Sequence, residues 1–152
     1  PLDGLRWHFI GQAQTKKARA IRAAASVVHS VDREKLADAL DRAGEGLPPL
    51  DVLVQVNLTD DPGRGGVAPG DLERLAEHVA GCETLALRGV MAVAPLDVEP
   101  ASAFATLAGY AERVRSVVPT ATWMSAGMTA DFAEAIAAGA THLRIGSAID
   151  HG

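Results

Sequence analysis

Along the chain, short apolar runs alternate with longer stretches in which apolar residues recur every third or fourth position, the signature of strands alternating with amphipathic helices. Arg6 to Gly11 predicts a short strand ended by glycine, and Gln14 to Ala25 follows with helix formers and an exposed basic side. Ser26 to Val31 is β-branched; Asp32 is then expected to cap a helix carrying Leu36, Ala39, Leu40 and Ala43, closed by Gly44 and Gly46. Val52 to Leu58 is the most strand-like stretch, and after a Gly-rich loop Gly70 to Ala80 sets Leu72, Leu75, Ala76 and Val79 on one helical face. Leu85 to Ala94 predicts the next strand, and the helix from about Pro100 to Val118 accommodates Pro100 in its first turn. The last strands lead into Ser125-Ala126-Gly127-Met128-Thr129 and Gly146-Ser147. Between them an alanine-rich helix starts at Thr129 and stops at Gly139.

Six strands separated by five helices with short connections predict right-handed βαβ units and a parallel sheet, so the class is α/β. An open doubly wound sheet and part of an eight-stranded (β/α) barrel of the TIM type both fit that pattern. Gln55 and Asn57 favour the barrel, because they share one face near the carboxyl end of an otherwise apolar strand, the position of a barrel mouth. Arg144 stands likewise two residues before the Gly146 turn, where a guanidinium requires a ligand or acceptors to face.

Composition narrows the function. A hydrophobic fraction of 48% supports a substantial core, and the net charge of −5 argues against nucleic acid or an anionic membrane surface as partner, leaving a small molecule. Cys82 is the sole cysteine, which points to a reducing cytoplasm and to a buried structural thiol. The five histidines show no HxxxH or HExxH spacing, so no metal is expected. Gly63-Arg64-Gly65-Gly66 lacks the spacing of a nucleotide-binding loop and reads as a mobile surface connection, while Trp7 and Met91 read as core. No basic, apolar leader opens the chain and no apolar run is long enough to span a membrane. The start at Pro1, without methionine, suggests a processed or excised piece.

The most distinctive chemistry lies near the C-terminus. The turns Gly127 to Thr129 and Gly146-Ser147 follow consecutive strands, and their small residues leave backbone N–H groups open to an anion. Together they predict a phosphate cradle, in the region where barrel phosphate sites often form.

In order and spacing, Trp7-His8-Phe9-Ile10-Gly11, Gln14, Lys17, His29-Ser30-Val31-Asp32, Gln55-Val56-Asn57, Arg88-Gly89-Val90-Met91, Ser125-Ala126-Gly127-Met128-Thr129 and Arg144-Ile145-Gly146-Ser147-Ala148 resemble the pyridoxal phosphate homeostasis proteins. The resemblance implies a barrel like the N-terminal domain of alanine racemase, holding pyridoxal 5′-phosphate and serving vitamin B6 balance without established turnover. It implies phosphate contacts from Ser125, Gly127, Met128, Thr129, Gly146 and Ser147, with Arg144 towards the pyridine ring. His8, Asn57 and Met91 would line the mouth or wall. PLP-dependent apoenzymes are the implied recipients. An amino-acid racemase or decarboxylase of the same barrel, or a barrel acting on another phosphorylated metabolite, is the alternative.

Departures from the family pattern go with the matches. Its Schiff-base lysine lies near the end of the first strand, which would precede Pro1, and Lys16 and Lys17 sit on a helix after a later strand. Residues 1–152 are therefore expected to form one cofactor-binding barrel domain, incomplete at its N-terminus, comprising strands three to eight. Lys16 and Ala13 stand where asparagine and leucine are usual, and Asp150-His151-Gly152 replaces the usual apolar-Gly ending.

Overall fold

A computed structural model describes residues 7–127, with His142 and Leu143 described in backbone only. Its strands are β1 (His8–Phe9), β2 (Val27–Val31), β3 (Leu50–Gln55), β4 (Leu85–Val93), β5 (Trp123–Gly127) and β6 (His142–Leu143). Every pairing is parallel, and the spatial order follows the sequence from β1 to β6 without reversal. The helices between them are α1 (Ala18–Ala24), α2 (Glu34–Ala43), α3 (Leu72–Ala80) and α4 (Pro100–Val117).

The burial pattern explains the architecture. All five residues of β2 are buried; since successive side chains of a strand point to opposite faces, both faces of the sheet are covered. On the outer face Val28, Val52, Val54, Val90 and Met124 pack with Ile21 of α1, Leu36 and Leu40 of α2, Leu75 and Val79 of α3, and Leu107 and Val114 of α4 in one cluster. Leu36 and Leu40 are completely buried, each contributing about 1.5–3 kcal/mol of transfer free energy. The opposite alternation directs Val27, Leu53 and Met91 inward, where they pack with Ile10 against Trp123.

A doubly wound sheet reverses its strand order and carries helices on both faces. Here the order never reverses, and α1 to α4 share the outer cluster, so the described residues form a parallel α/β half-barrel, consistent with an incomplete barrel of the TIM type. Curvature is visible in side chains. His29 of β2 and Ser125 of β5 are hydrogen-bonded at 2.8 Å, whereas three strand spacings across a flat sheet amount to about 14 Å. Gly89 permits the close β4–β5 pairing, because a Cβ there would stand 1.8 Å from the Trp123 carbonyl oxygen. Among the described residues no helix is long and apolar enough to cross a membrane.

Several sequence expectations are corrected. Asp32 does not cap α2: the N-cap is Arg33, and the Asp32 carboxylate instead accepts from the Gly66 N–H at 3.2 Å and from Arg33. The Gly-rich loop is docked rather than mobile, since Val67 bridges Val56 and Gly66, at φ 113°, lies against the backbone of Asn57. Trp7 is 51% exposed rather than core. Among the basic residues of the first helix, Arg22 is buried, its guanidinium donating to the carbonyls of Thr84 and Pro48 at 3.0 Å each. Those acceptors replace the water that a buried cation loses.

Candidate functional site

The carboxyl ends of the strands converge on the barrel mouth, and the strand alternation decides which side chains enter it. His29 has the same parity on β2 as Val27, so it follows that residue inward; Ser125 follows Trp123 on β5 in the same way. His8 comes from the neighbouring β1. His8 Nδ1 lies 2.8 Å from His29 Nε2, with the rings tilted and their centroids 5.0 Å apart, and His29 Nδ1 lies 2.8 Å from the Ser125 hydroxyl. Ser125 is fully buried and His29 nearly so.

This chain of hydrogen bonds works in two directions with both rings neutral. His8 can donate to His29, which then donates to Ser125; alternatively the Ser125 hydroxyl donates to His29 and the N–H of His29 to His8. Beside it, Ile10, Val27, Leu53 and Met91 form an apolar cluster, with Met91 paired directly to Ser125 between β4 and β5. Arg88 pairs with Asp51 at 2.9 Å and lies 5.7 Å over the Trp123 ring, with its side chain partly exposed. The result is a polar chain packed beside an apolar cluster.

Two of the sequence-predicted wall residues take different places from His8. Met91 is completely buried in the apolar cluster, paired with Ser125 across β4 and β5. The Asn57 amide is committed to its own loop: its oxygen accepts from the Thr59 N–H and hydroxyl, and its nitrogen donates to the Asp61 carbonyl. Asn57 thus orders the loop beside the strand end. Gln55 is buried beside Gly65, where a Cβ would stand 3.3 Å from its Nε2 and 2.5 Å from that of Gln12. Ser125 and Gly127 lie on β5. The phosphate or ring contacts expected of Met128, Thr129, Arg144, Gly146 and Ser147 fall outside the described residues.

His29 is a candidate site residue absent from the sequence expectations, although its parity with Val27 is the signal that finds it. Lys16 and Lys17 occupy a 3-10 turn before α1 and are exposed. They border a groove of about 620 Å³ that runs along the β1 edge beside Trp7, His8 and Gln12.

A second polar group lies in the helix layer. Asp41 of α2 accepts from the Thr84 N–H at 2.7 Å and from its hydroxyl at 2.8 Å. Burial acts to raise the Asp41 carboxyl, but these bonds, the Glu83 N–H and the Arg22 charge hold it below the usual carboxylate range. Cys82 is half-buried rather than fully buried; burial, then the charges of Asp41 and Asp38, push its thiol up to about 11.

Residues 5–149 match the family described as alanine racemase, N-terminal domain. A pyridoxal phosphate homeostasis protein of Mycobacterium tuberculosis (strain H37Rv) is 40% identical over 159 residues, which cover 96% of this chain and 60% of that protein. Its counterpart in Pseudomonas aeruginosa is 42% identical over 146 residues, covering 95% and 64%. The chain thus spans less than two thirds of these relatives' length. PipY of Synechococcus elongatus PCC7942, solved without PLP and with PLP bound, superposes with a TM-score of 0.86 in both states. It is 33% and 32% identical in the two comparisons, which cover 99% of this chain and 73% and 72% of PipY.

Proposed function

The chain belongs to the alanine racemase N-terminal domain family, among its pyridoxal phosphate homeostasis proteins, and from that premise we propose that it binds pyridoxal 5′-phosphate at the half-barrel mouth and carries or buffers this vitamin B6 cofactor without turnover. The observation that carries the reading is the His8–His29–Ser125 chain beside an apolar cluster, in a fold shared with PLP-bound PipY. Those residues suit the group in kind: the imidazoles and the hydroxyl offer donors and acceptors to its polar substituents, and the neighbouring side chains are apolar.

In this reading Ser125, Gly127, Met128, Thr129, Gly146 and Ser147 hold the phosphate, Arg144 faces the pyridine nitrogen, and His8 borders the ring. Met91 and Asn57 belong to the wall, Asn57 through the loop it orders. When bound, the cofactor supplies an electron sink, which an arginine unable to give up its proton weakens at the ring nitrogen. Carriage over turnover is supported by the placement of Tyr110 and Cys82, the chain's only tyrosine and cysteine, against the outer cluster rather than at the mouth.

Strands β1 to β6 then correspond to strands three to eight of a complete barrel, and residues 1–152 to one domain whose first strand–helix units, with the Schiff-base lysine, precede it. The groove along the β1 edge supports this, as a place where a preceding unit packs. Cytoplasmic PLP-dependent apoenzymes are the recipients that fit such a carrier.

Titrating this chain, and a form extended N-terminally to the length of its relatives, with pyridoxal 5′-phosphate tests the proposal. Saturable cofactor absorbance is expected, with borohydride fixing the cofactor only in the extended form and no racemisation or decarboxylation of amino acids. Absence of binding by both forms, or turnover of an amino acid, overturns it.

A further inference from the structure

Helices α2 and α3 pack so that side chains distant in sequence meet on the outer layer. His78 Nε2 lies 2.6 Å from Asp38 Oδ1, and its Nδ1 lies 3.3 Å from Glu34 Oε1. Cys82, four residues after His78, brings its sulfur to 3.5 Å from the His78 carbonyl. One donor atom each from Asp38, His78 and Cys82 falls within 4.8 Å of the others. We propose that Asp38, His78 and Cys82 bind a divalent transition-metal ion of the zinc type, with Glu34 orienting the imidazole.

Three features carry the assignment. The donor set is mixed, with one sulfur, one nitrogen and one oxygen. That combination matches a borderline-soft ion and disfavours magnesium and calcium, which take oxygen ligands. Donor atoms around tetrahedral zinc stand about 3.3–3.8 Å apart, given metal–ligand bonds of about 2.0–2.3 Å. The Asp38–His78 contact must open slightly and the widest separation close by about an ångström, adjustments that half-exposed side chains make by rotation. Finally, Glu34 lies 3.3 Å from the ring nitrogen that faces away from Asp38, within ion-pair distance and close to hydrogen-bond reach. Metal-binding histidines characteristically pass their second nitrogen to a carboxylate in this way, fixing the tautomer and strengthening the ligand. Three protein ligands leave a fourth position for water.

The site lies apart from the barrel mouth, so its test is independent of cofactor binding. The reduced 152-residue chain, freed of metal by chelation, is titrated with Co²⁺ and followed by absorbance. One equivalent is expected to give the ligand-field bands of tetrahedral cobalt together with a sulfur-to-cobalt charge-transfer band, both bleached by Zn²⁺. Cys82→Ser is expected to abolish the charge-transfer band and His78→Ala to weaken Co²⁺ binding at least tenfold. Glu34→Gln should retain the sulfur band while weakening binding about 10- to 100-fold. The wild-type spectrum reports sulfur ligation without any variant having to fold. Cobalt bound without a sulfur band, no cobalt bound at micromolar concentration, or equal affinity of wild type and His78→Ala overturns the assignment.

Discussion

His29 of β2 and Ser125 of β5 are 96 positions apart in sequence and have two strands between them in the sheet, yet their side chains touch at 2.8 Å across the interior. That contact reports barrel curvature and anchors the polar chain at once. Ser125→Ala removes one of the partners of a nearly buried imidazole, and is expected to destabilise the fold by about 1–3 kcal/mol in urea titrations. It should also weaken pyridoxal 5′-phosphate by about 0.5–3 kcal/mol. Ser125→Thr, which keeps the hydroxyl, is expected to recover part of the binding loss; equal losses in both variants would assign the effect to packing alone.

Gly89→Ala is expected to be among the most damaging single substitutions. The added carbon meets the Trp123 carbonyl at 1.8 Å, backbone against backbone in the middle of the β4–β5 pairing. Relief requires the strands to separate, at a cost of about 3 kcal/mol. Thermal unfolding with circular dichroism measures it, and Gly70→Ala, where a Cβ meets nothing within 4 Å, is the control expected to change little.

Acid should weaken the outer layer. Asp41, partly buried but held down by Thr84, Glu83 and Arg22, and Glu73, hydrogen-bonded to Arg113, both titrate below their ordinary values in the folded protein. A depressed folded pKa means stabilisation that is present above the ordinary carboxylate value of about 4 and lost as pH falls through the folded value. Asp41→Asn is therefore expected to be less stable than wild type at neutral pH, with the gap narrowing below about pH 4. Urea unfolding at a series of pH values would disprove this if the gap stayed constant.

In the metal-free protein, Cys82 should alkylate slowly at neutral pH. Burial and the charges of Asp41 and Asp38 push its thiol up to about 11, against an ordinary value of about 8.5, and the thiolate is the reacting form. The iodoacetamide rate is expected to keep rising with pH beyond 9, and Asp38→Asn to raise the rate near pH 8. A plateau near pH 8.5 would contradict this placement of the thiol.

Much of the fold is legible in the amino-acid sequence. The periodicity of Leu72, Leu75, Ala76 and Val79 locates α3 because a helix repeats every 3.6 residues whatever it packs against, and the β-branched runs at Val27–Val31 and Leu50–Gln55 locate strands by the same local logic. The ordered motifs from Trp7 to Ser147 suffice for the family. Local pattern does not choose between a doubly wound sheet and a barrel, because both are built of the same βαβ units; the unreversed order and the single helix layer decide that. Nor does it place Asp32 on Gly66, bury Arg22, or bring Asp38 to His78, since each depends on how two elements far apart in sequence dock. Spacing along one segment encodes its own geometry, whereas a contact such as His29 to Ser125 exists only once the sheet between them has curled.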